Sequence, residues 1–171
     1  MILARFIWGR NIVFVTGMSG YGKSYTLAQL VAYLAEMRHR VIIFDSSSSF
    51  NDQDLQFFVT KARKANTAFI GATQNYLPDE TSIGETMCQA KTLIFLKPSP
   101  KSENAVADTL RYGKKKKSHF DEMKAFDVIV KSDFYSKEQG INTPSIVSGK
   151  ICSYEKWQSF LSGNETSNPN E

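Results

Sequence analysis

One short segment of the chain carries residue types and a spacing that suit phosphate chemistry. Residues 17–24 read GMSGYGKS, which fits the pattern G-x-x-x-x-G-K-[ST] at every position. Glycines in such a loop accept positive φ, so that successive backbone N–H groups turn inward and form a nest for an anion. The segment therefore predicts binding of a phosphate chain, and a chance glycine-rich turn is the alternative.

Two side chains at the end of this loop complete the predicted site. Lys23 can reach the β- and γ-phosphates of a nucleotide, and the Ser24 hydroxyl can bind Mg²⁺. The helix that follows adds the positive end of its dipole. ATP or another nucleoside triphosphate, bound together with Mg²⁺, is therefore the expected ligand. Its predicted contacts are Gly17, Met18, Ser19, Gly20, Tyr21, Gly22, Lys23, Ser24 and Tyr25.

Apolar runs that alternate with helical patterns predict the frame around this loop. A continuous apolar run at residues 12–15 is expected for a strand buried on both faces, and apolar side chains recur at helical spacing after the loop. Further strands are predicted at residues 41–44, 68–72, 93–96 and 126–130, an edge hairpin at 146–152, and helices at 55–62, 83–89 and 105–112, the last closed by Gly113. The predicted fold class is α/β: a three-layer P-loop NTPase fold with a mostly parallel central sheet of about five strands and helices on both faces.

Length and composition favour one such domain. The chain has 171 residues, of which 42% are hydrophobic. We predict a single P-loop domain at residues 1–161 and a disordered tail at residues 162–171. No apolar run approaches the roughly 20 residues of a membrane span, so a cytoplasmic protein is expected. Cys88 and Cys152 match no zinc pattern and are predicted to be free, buried thiols.

A carboxylate ends the second predicted strand. Asp45 follows the apolar run at residues 41–44, which is the Walker B arrangement, and its carboxylate would hold Mg²⁺ through water. ATPases usually place a Glu next to this Asp to activate the attacking water, whereas Ser46 stands here. The sequence therefore does not identify the residue that activates water.

Residues 63–74 read RKANTAFIGATQ, a predicted helix end followed by a buried strand that closes in Gln74. Together with the phosphate loop and Asp45, this segment resembles the FtsK–HerA superfamily of DNA-pumping ATPases, over roughly residues 12–97 and with an extension toward Val130. The resemblance implies that Gln74 senses the γ-phosphate and that Arg63 is an arginine finger for a neighbouring subunit. The alternatives are an ordinary strand-end amide for Gln74 and a solvated helix-end cation for Arg63.

This sequence departs from the family pattern in two ways. The catalytic Glu is missing, and the segment between the loop helix and Asp45 is short, where relatives usually insert further strands. Asp45 could therefore match the strand that precedes Walker B in longer relatives, which leaves the assignment of this carboxylate open.

A basic run forms a second candidate surface. Lys114, Lys115, Lys116 and Lys117 lie between a predicted helix and the next predicted strand, in a chain of net charge +4. An exposed cluster of flexible point charges suits the phosphates of DNA rather than base edges. A solvated lysine run without a partner is the alternative.

The resemblance implies an ATP-driven motor that translocates double-stranded DNA, with viral genome packaging as the expected role. It also implies a homo-oligomeric ring, for which a hexamer is one option, and docking to a capsid or membrane partner, in the host cytoplasm or at the virion. A small-molecule kinase for nucleosides or nucleotides is a second hypothesis, although no arginine-rich lid is visible. A degenerate nucleotide-binding subunit with little hydrolysis is a third, because the catalytic Glu is missing.

Overall fold

The computed structural model describes residues 12–36, 40–45, 61, 67–78, 82–113, 118–132, 145–153, 156 and 159. The strands within this part of the chain are β1 (Ile12–Thr16), β2 (Val41–Asp45), β3 (Ala68–Thr73), β4 (Thr92–Phe95), β5 (Asp127–Ser132) and β6 (Ser145–Lys150). The helices within it are α1 (Lys23–Glu36), α2 (Ser82–Cys88), α3 (Glu103–Thr109) and α4 (Ser118–Glu122).

The strands form one six-stranded sheet in the order β2-β3-β1-β4-β5-β6. β2, β3, β1 and β4 run parallel, whereas β5 is antiparallel to β4 and β6 is antiparallel to β5. β1 lies between β3 and β4, and its last residue Thr16 pairs in register with Thr73 and Phe95. The carboxyl ends of the parallel strands therefore meet at one edge of the sheet, which is where α/β proteins bind ligands.

Helices cover both faces of the sheet, because successive side chains of each buried strand point to opposite sides. Phe14 of β1 belongs to one apolar cluster and its neighbours Val13 and Val15 belong to the other. α1 packs on the second cluster through Leu30 and Leu34. α2, α3 and α4 contribute buried side chains to the first. The predicted α/β fold, with a mostly parallel sheet between two helical layers, is therefore confirmed, with six strands in place of about five.

The predicted strands agree with the observed ones to within two residues at each end, and β6 takes the sheet edge where a hairpin was predicted. Of the helix predicted at residues 55–62, Lys61 alone belongs to the described residues, and it is helical, whereas the predicted tail at residues 162–171 lies outside them. Among the described residues no helix is both long and apolar enough to span a bilayer. Neither cysteine is part of a disulfide, in agreement with the prediction, but the prediction that they are buried is wrong, since Cys88 is exposed and Cys152 is partly exposed.

The end of α3 corrects the prediction that Gly113 closes this helix. The helix ends at Thr109 with Leu110 as its C-cap, and Arg111 adopts the left-handed conformation with φ 56°. The Tyr112 N–H donates to the Ala107 carbonyl oxygen at 2.7 Å, and the Arg111 N–H donates to the Asp108 carbonyl oxygen at 3.0 Å. These two bonds define a Schellman motif with Arg111 in the position that glycine usually takes.

The packing of Tyr112 explains why the helix stops early. Its ring stacks on Phe120, with 6.1 Å between centroids, and partial burial raises the pKa of the Tyr112 hydroxyl above its usual value. Phe120 is buried in α4, which the sequence did not predict. The lysine run at residues 114–117 is therefore followed by a helix and not by a strand, and the run itself lies outside the described residues.

Candidate phosphate-binding site

The segment that joins β1 to α1 has the backbone conformation of an anion nest. Gly17, Gly20 and Gly22 have φ values of 153°, 82° and 97°. Residues other than glycine rarely adopt positive φ, because their Cβ atom clashes with the backbone. The three glycines therefore permit a backbone path that other residues would adopt only with strain. Such a path lets successive N–H groups face one anion. The predicted loop therefore lies at the carboxyl edge of the sheet, directly after the central strand.

Hydrogen bonds to both neighbouring strands fix the entrance of the loop. The Gly17 N–H donates to the Thr73 carbonyl oxygen at the end of β3, at 3.3 Å, and the Met18 N–H donates to the Lys97 carbonyl oxygen after β4, at 2.8 Å. A Cβ atom on Gly17 would lie 2.8 Å from the Cβ of Leu96. The loop consequently starts in a close-packed slot between two strand ends, which holds its shape before any ligand binds.

The cation of the motif rests on the loop. The Lys23 ammonium donates to the Met18 carbonyl oxygen, with 2.9 Å between Nζ and oxygen. Ser24, the second residue of α1, is exposed at the same place. The first turn of α1 is secured by Thr26, whose N–H and hydroxyl both lie 2.8 Å from the Gly22 carbonyl oxygen. The positive charge, the hydroxyl and the helix start thus meet where a phosphate chain would lie.

The two predicted tyrosine contacts have further partners around the loop. The Lys97 ammonium lies 5.7 Å from the centroid of the Tyr21 ring, a cation–π distance, and donates to the Asp121 carbonyl oxygen at 3.2 Å. The Tyr25 hydroxyl donates to the Cys152 carbonyl oxygen at 3.2 Å. Both tyrosines therefore tie the loop to segments far away in sequence.

Asp45 is the last residue of β2 and pairs in register with Ala72 of β3. Its strand β2 is not adjacent to the loop strand β1, because β3 lies between them. Neighbouring strands are about 4.8 Å apart, which puts the Asp45 backbone roughly 10 Å from β1 at the shared carboxyl edge. Asp45 and the loop therefore lie at the same carboxyl edge of the sheet, with one strand between β2 and β1.

Gln74 follows β3 directly and is exposed. The preceding residue, Thr73, supplies the carbonyl oxygen that holds Gly17. On the other side, the Asn75 N–H donates to the Thr73 hydroxyl oxygen at 3.4 Å, and the Ser99 hydroxyl donates to the Asn75 side-chain oxygen at 2.7 Å. Gln74 is therefore an exposed amide between two fixed neighbours, one residue from the loop anchor.

The remaining predicted site residues are not part of the described structure. Arg63 and the lysine run at residues 114–117 lie outside the described residues, so their roles stay predictions. In the part of the chain that the structure does describe, no group of three or more His, Cys, Asp or Glu side chains could hold a metal ion. Mg²⁺ needs only one or two protein oxygens beside nucleotide phosphates, and Ser24 and Asp45 are of the type it takes.

The structure adds two residues that sequence reasoning missed. Lys97 follows β4 and contacts the loop through its backbone and its ammonium group. Phe126 contacts the loop from the segment before β5. Neither belongs to a motif. For Lys97 the available signal was a cation directly after a predicted strand, at the edge where ligands bind. For Phe126 there was none, since it was the first residue of the predicted strand at residues 126–130, and an apolar residue there is ordinarily part of the core.

Comparisons with known proteins bear on the family and the fold of the chain. Residues 13–139 match the family model described as "Helicase HerA, central domain". The matched segment continues past β4, which ends at Phe95, and includes β5. Among proteins of curated function, none matches the chain at a significant level.

Solved structures of the viral protein B204 from two viruses have the same fold. The genome packaging NTPase B204 from Sulfolobus turreted icosahedral virus 2 in complex with sulfate superposes with a TM-score of 0.56 at 13% identity, over 84% of this chain and 97% of that one. The complex of the same protein with ATP-gammaS superposes with a TM-score of 0.54 at 13% identity, over 82% of this chain and 98% of that one. B204, the DNA-packaging ATPase from Sulfolobus turreted icosahedral virus, superposes with a TM-score of 0.54 at 14% identity, over 85% of this chain and 100% of that one. At these identities the likeness shows the P-loop NTPase fold.

Proposed function

The chain belongs to the HerA central-domain family, and from that premise we propose that it is an ATPase that moves double-stranded DNA during viral genome packaging. The observation that carries the proposal is the loop of three positive-φ glycines at the carboxyl end of β1, with the Lys23 ammonium resting on it. A nest of N–H groups beside one cation is built for a polyphosphate. The B204 structures, which share the fold, are of a DNA-packaging ATPase.

ATP is the ligand that best fits this loop. The fold is shared with B204 structures that contain ATP-gammaS and AMPPCP. Lys23 would neutralise charge on the β- and γ-phosphates, and the loop N–H groups would hold the phosphate chain in place. Mg²⁺, when bound, would supply further positive charge, with the Ser24 hydroxyl as a direct ligand and Asp45 as a ligand through water.

The other predicted residues have roles in hydrolysis and in DNA contact. Gln74, exposed at the carboxyl edge, would orient the attacking water or register loss of the γ-phosphate. In a ring, Arg63 of a neighbouring subunit would approach the transferred phosphoryl group. The lysine run at residues 114–117, presented several times around the ring, would follow the DNA backbone without sequence preference.

Steady-state ATP hydrolysis with and without duplex DNA tests this proposal, together with the oligomeric state by light scattering. We expect a ring whose hydrolysis is stimulated by duplex DNA and is lost in Lys23→Ala. Replacing Lys114, Lys115, Lys116 and Lys117 by alanine should weaken DNA binding and reduce its salt dependence while nucleotide affinity is retained. Hydrolysis that ignores DNA, or transfer of phosphate to a nucleoside or nucleotide, would overturn the proposal.

One feature of the sequence favours a second candidate, a nucleotide-binding subunit with little turnover. Ser46 stands after Asp45, where ATPases usually carry the Glu that activates water. This candidate predicts tight nucleotide binding that depends on Lys23 together with negligible hydrolysis, even with DNA. The same hydrolysis assay distinguishes the two.

A further inference from the structure

Phe126 is an aromatic residue in an unusual position beside the phosphate loop. Its φ is 68°, in the left-handed region that large side chains rarely adopt. Its surface is 41% exposed, although the side chain is entirely apolar. Strained backbone of this kind is maintained where surrounding structure enforces it, and it clusters at ligand sites.

The backbone of Phe126 is fixed by hydrogen bonds on both sides. Its N–H donates to the carbonyl oxygen of Tyr21 in the loop, at 3.3 Å. Its carbonyl oxygen accepts a hydrogen bond from the Ile151 N–H, at 2.9 Å. The next residue, Cys152, is in turn held by Tyr25 and Gln29 of α1, whose side chains donate to its carbonyl oxygen. The loop and its helix therefore define where Phe126 lies.

The ring of Phe126 is also positioned by the loop. A Cβ atom on Gly22 would lie 2.7 Å from one edge of the ring, so the ring rests against the Gly22 backbone. The ring of Tyr25 meets it nearly at a right angle, with 5.6 Å between centroids. An edge-to-face contact and a backbone contact hold the aromatic ring without enclosing it, which agrees with its exposure.

We propose that Phe126 is the stacking surface for the base of the bound nucleotide, an inference that rests on the proposed function. The base of a nucleotide lies one ribose away from the phosphate that the loop would hold. An aromatic face at the margin of the loop can stack on that base, because every base has a π-face. Two other large exposed apolar residues of the described chain, Ile43 and Ile146, lie on the edge strands β2 and β6.

The other aromatic rings at the loop are less suited to this role. The Lys97 ammonium lies over the ring of Tyr21, and the hydroxyl of Tyr25 is bonded to Cys152.

Stacking on Phe126 has a consequence for specificity, because an aromatic ring stacks on adenine and on guanine alike. The chain should therefore bind ATP and GTP with affinities within about fivefold of each other, since stacking reads no hydrogen-bonding edge of the base.

The experiment compares ATP with tripolyphosphate, a phosphate chain without a base, at the same Mg²⁺ concentration. In Phe126→Leu we expect ATP affinity to fall about tenfold, as removal of one stacking ring does elsewhere, and tripolyphosphate affinity to change less than twofold. Phe126→Tyr keeps the aromatic face and should restore ATP affinity. An unchanged ATP affinity in Phe126→Leu, or an equal loss for both ligands, would overturn the inference.

Phe126→Trp provides a second measurement if the leucine variant does not fold. Stacked on a base, the new indole should lose fluorescence on saturation with ATP but not with tripolyphosphate, after subtraction of the signal of the unsubstituted chain, which has Trp8 and Trp157. Equal fluorescence with both ligands would refute stacking. Failure of the proposed function has a different signature. Hydrolysis would then ignore DNA while the Phe126 variants still separate ATP from tripolyphosphate, or ATP would bind the unsubstituted chain and Lys23→Ala equally poorly.

Discussion

The Lys23 ammonium lies 2.9 Å from the carbonyl oxygen of Met18, five residues earlier in the same loop. The cation is therefore held over the nest by the loop itself, and little reorganisation is required to bring it to a phosphate. A phosphate oxygen would offer Lys23 a charged acceptor in place of a neutral one, and charge-assisted hydrogen bonds are roughly twice as strong as neutral ones. Replacing the Met18 carbonyl oxygen by a phosphate oxygen as the acceptor is thus energetically favourable for the Lys23 ammonium.

Removal of this ammonium should separate ligand binding from folding. In Lys23→Ala we expect nucleotide affinity to fall about 100-fold, because a hydrogen bond to a charged group contributes about 1.5–3 kcal/mol. Thermal stability should change little, since Lys23 is only partly buried. Isothermal titration calorimetry gives the affinity. Lys91→Ala is the matched control, because Lys91 is exposed before β4 at the opposite edge of the sheet. Equal affinities in the two variants would contradict the site.

Replacement by alanine should lower the free energy of unfolding by different amounts at two glycines of the loop. Gly20 has φ 82° with open space around it, whereas Gly22 has φ 97° and faces the Phe126 ring. Gly20→Ala should lower the free energy of unfolding by about 1–2 kcal/mol, the cost of a left-handed residue with a Cβ atom. Gly22→Ala should lower it further, by about 1–3 kcal/mol more, because the ring must move. Urea unfolding measures both variants. Equal losses would show that the ring does not rest on Gly22.

One substitution at the end of α3 should raise the stability of the fold. Arg111 occupies the left-handed position of a Schellman motif with φ 56°, so Arg111→Gly relieves backbone strain and should add about 1 kcal/mol to the free energy of unfolding. Gly113 does not have positive φ and has open space around it. Gly113→Ala should therefore be neutral or slightly stabilising. Destabilisation by Gly113→Ala, with no gain in Arg111→Gly, would place the helix end at Gly113 after all.

Local patterns sufficed to predict the strands and the glycine positions of the loop, for a physical reason. β1, β3 and β4 are buried along their whole length, so their apolar runs are unbroken in the sequence. The loop needs glycine at fixed positions because of φ alone, which is a local property. Gln74 follows β3, which runs parallel to β1 beside it, so it is found at the same carboxyl edge as the loop.

Features that depend on contacts distant in sequence were not predictable in this way. Gly113 was the natural helix stop by type, yet the stacking of Tyr112 on Phe120 favours a turn at Arg111. Phe126 contacts a loop about a hundred residues earlier, through backbone groups that every residue possesses. The position of β3 between β2 and β1 is likewise a property of the whole sheet, so the sequence could not show that Asp45 ends a strand once removed from the loop.

Gln74 should affect turnover without affecting binding. It follows Thr73, whose carbonyl oxygen anchors Gly17, but its own side chain is exposed at the edge of the site. Under the proposed function, Gln74→Ala removes a group that acts on the attacking water or the γ-phosphate. The expected result is a fall in kcat of about 10–100-fold with the dissociation constant for ATP within threefold, the pattern of an interaction made mainly in the transition state. Gln89→Ala is the control, since Gln89 is also exposed but lies before β4 at the other edge of the sheet. Rapid-quench hydrolysis and equilibrium binding measure the two quantities, and a loss of ATP affinity equal to the loss of kcat would instead assign Gln74 to support of the loop entrance.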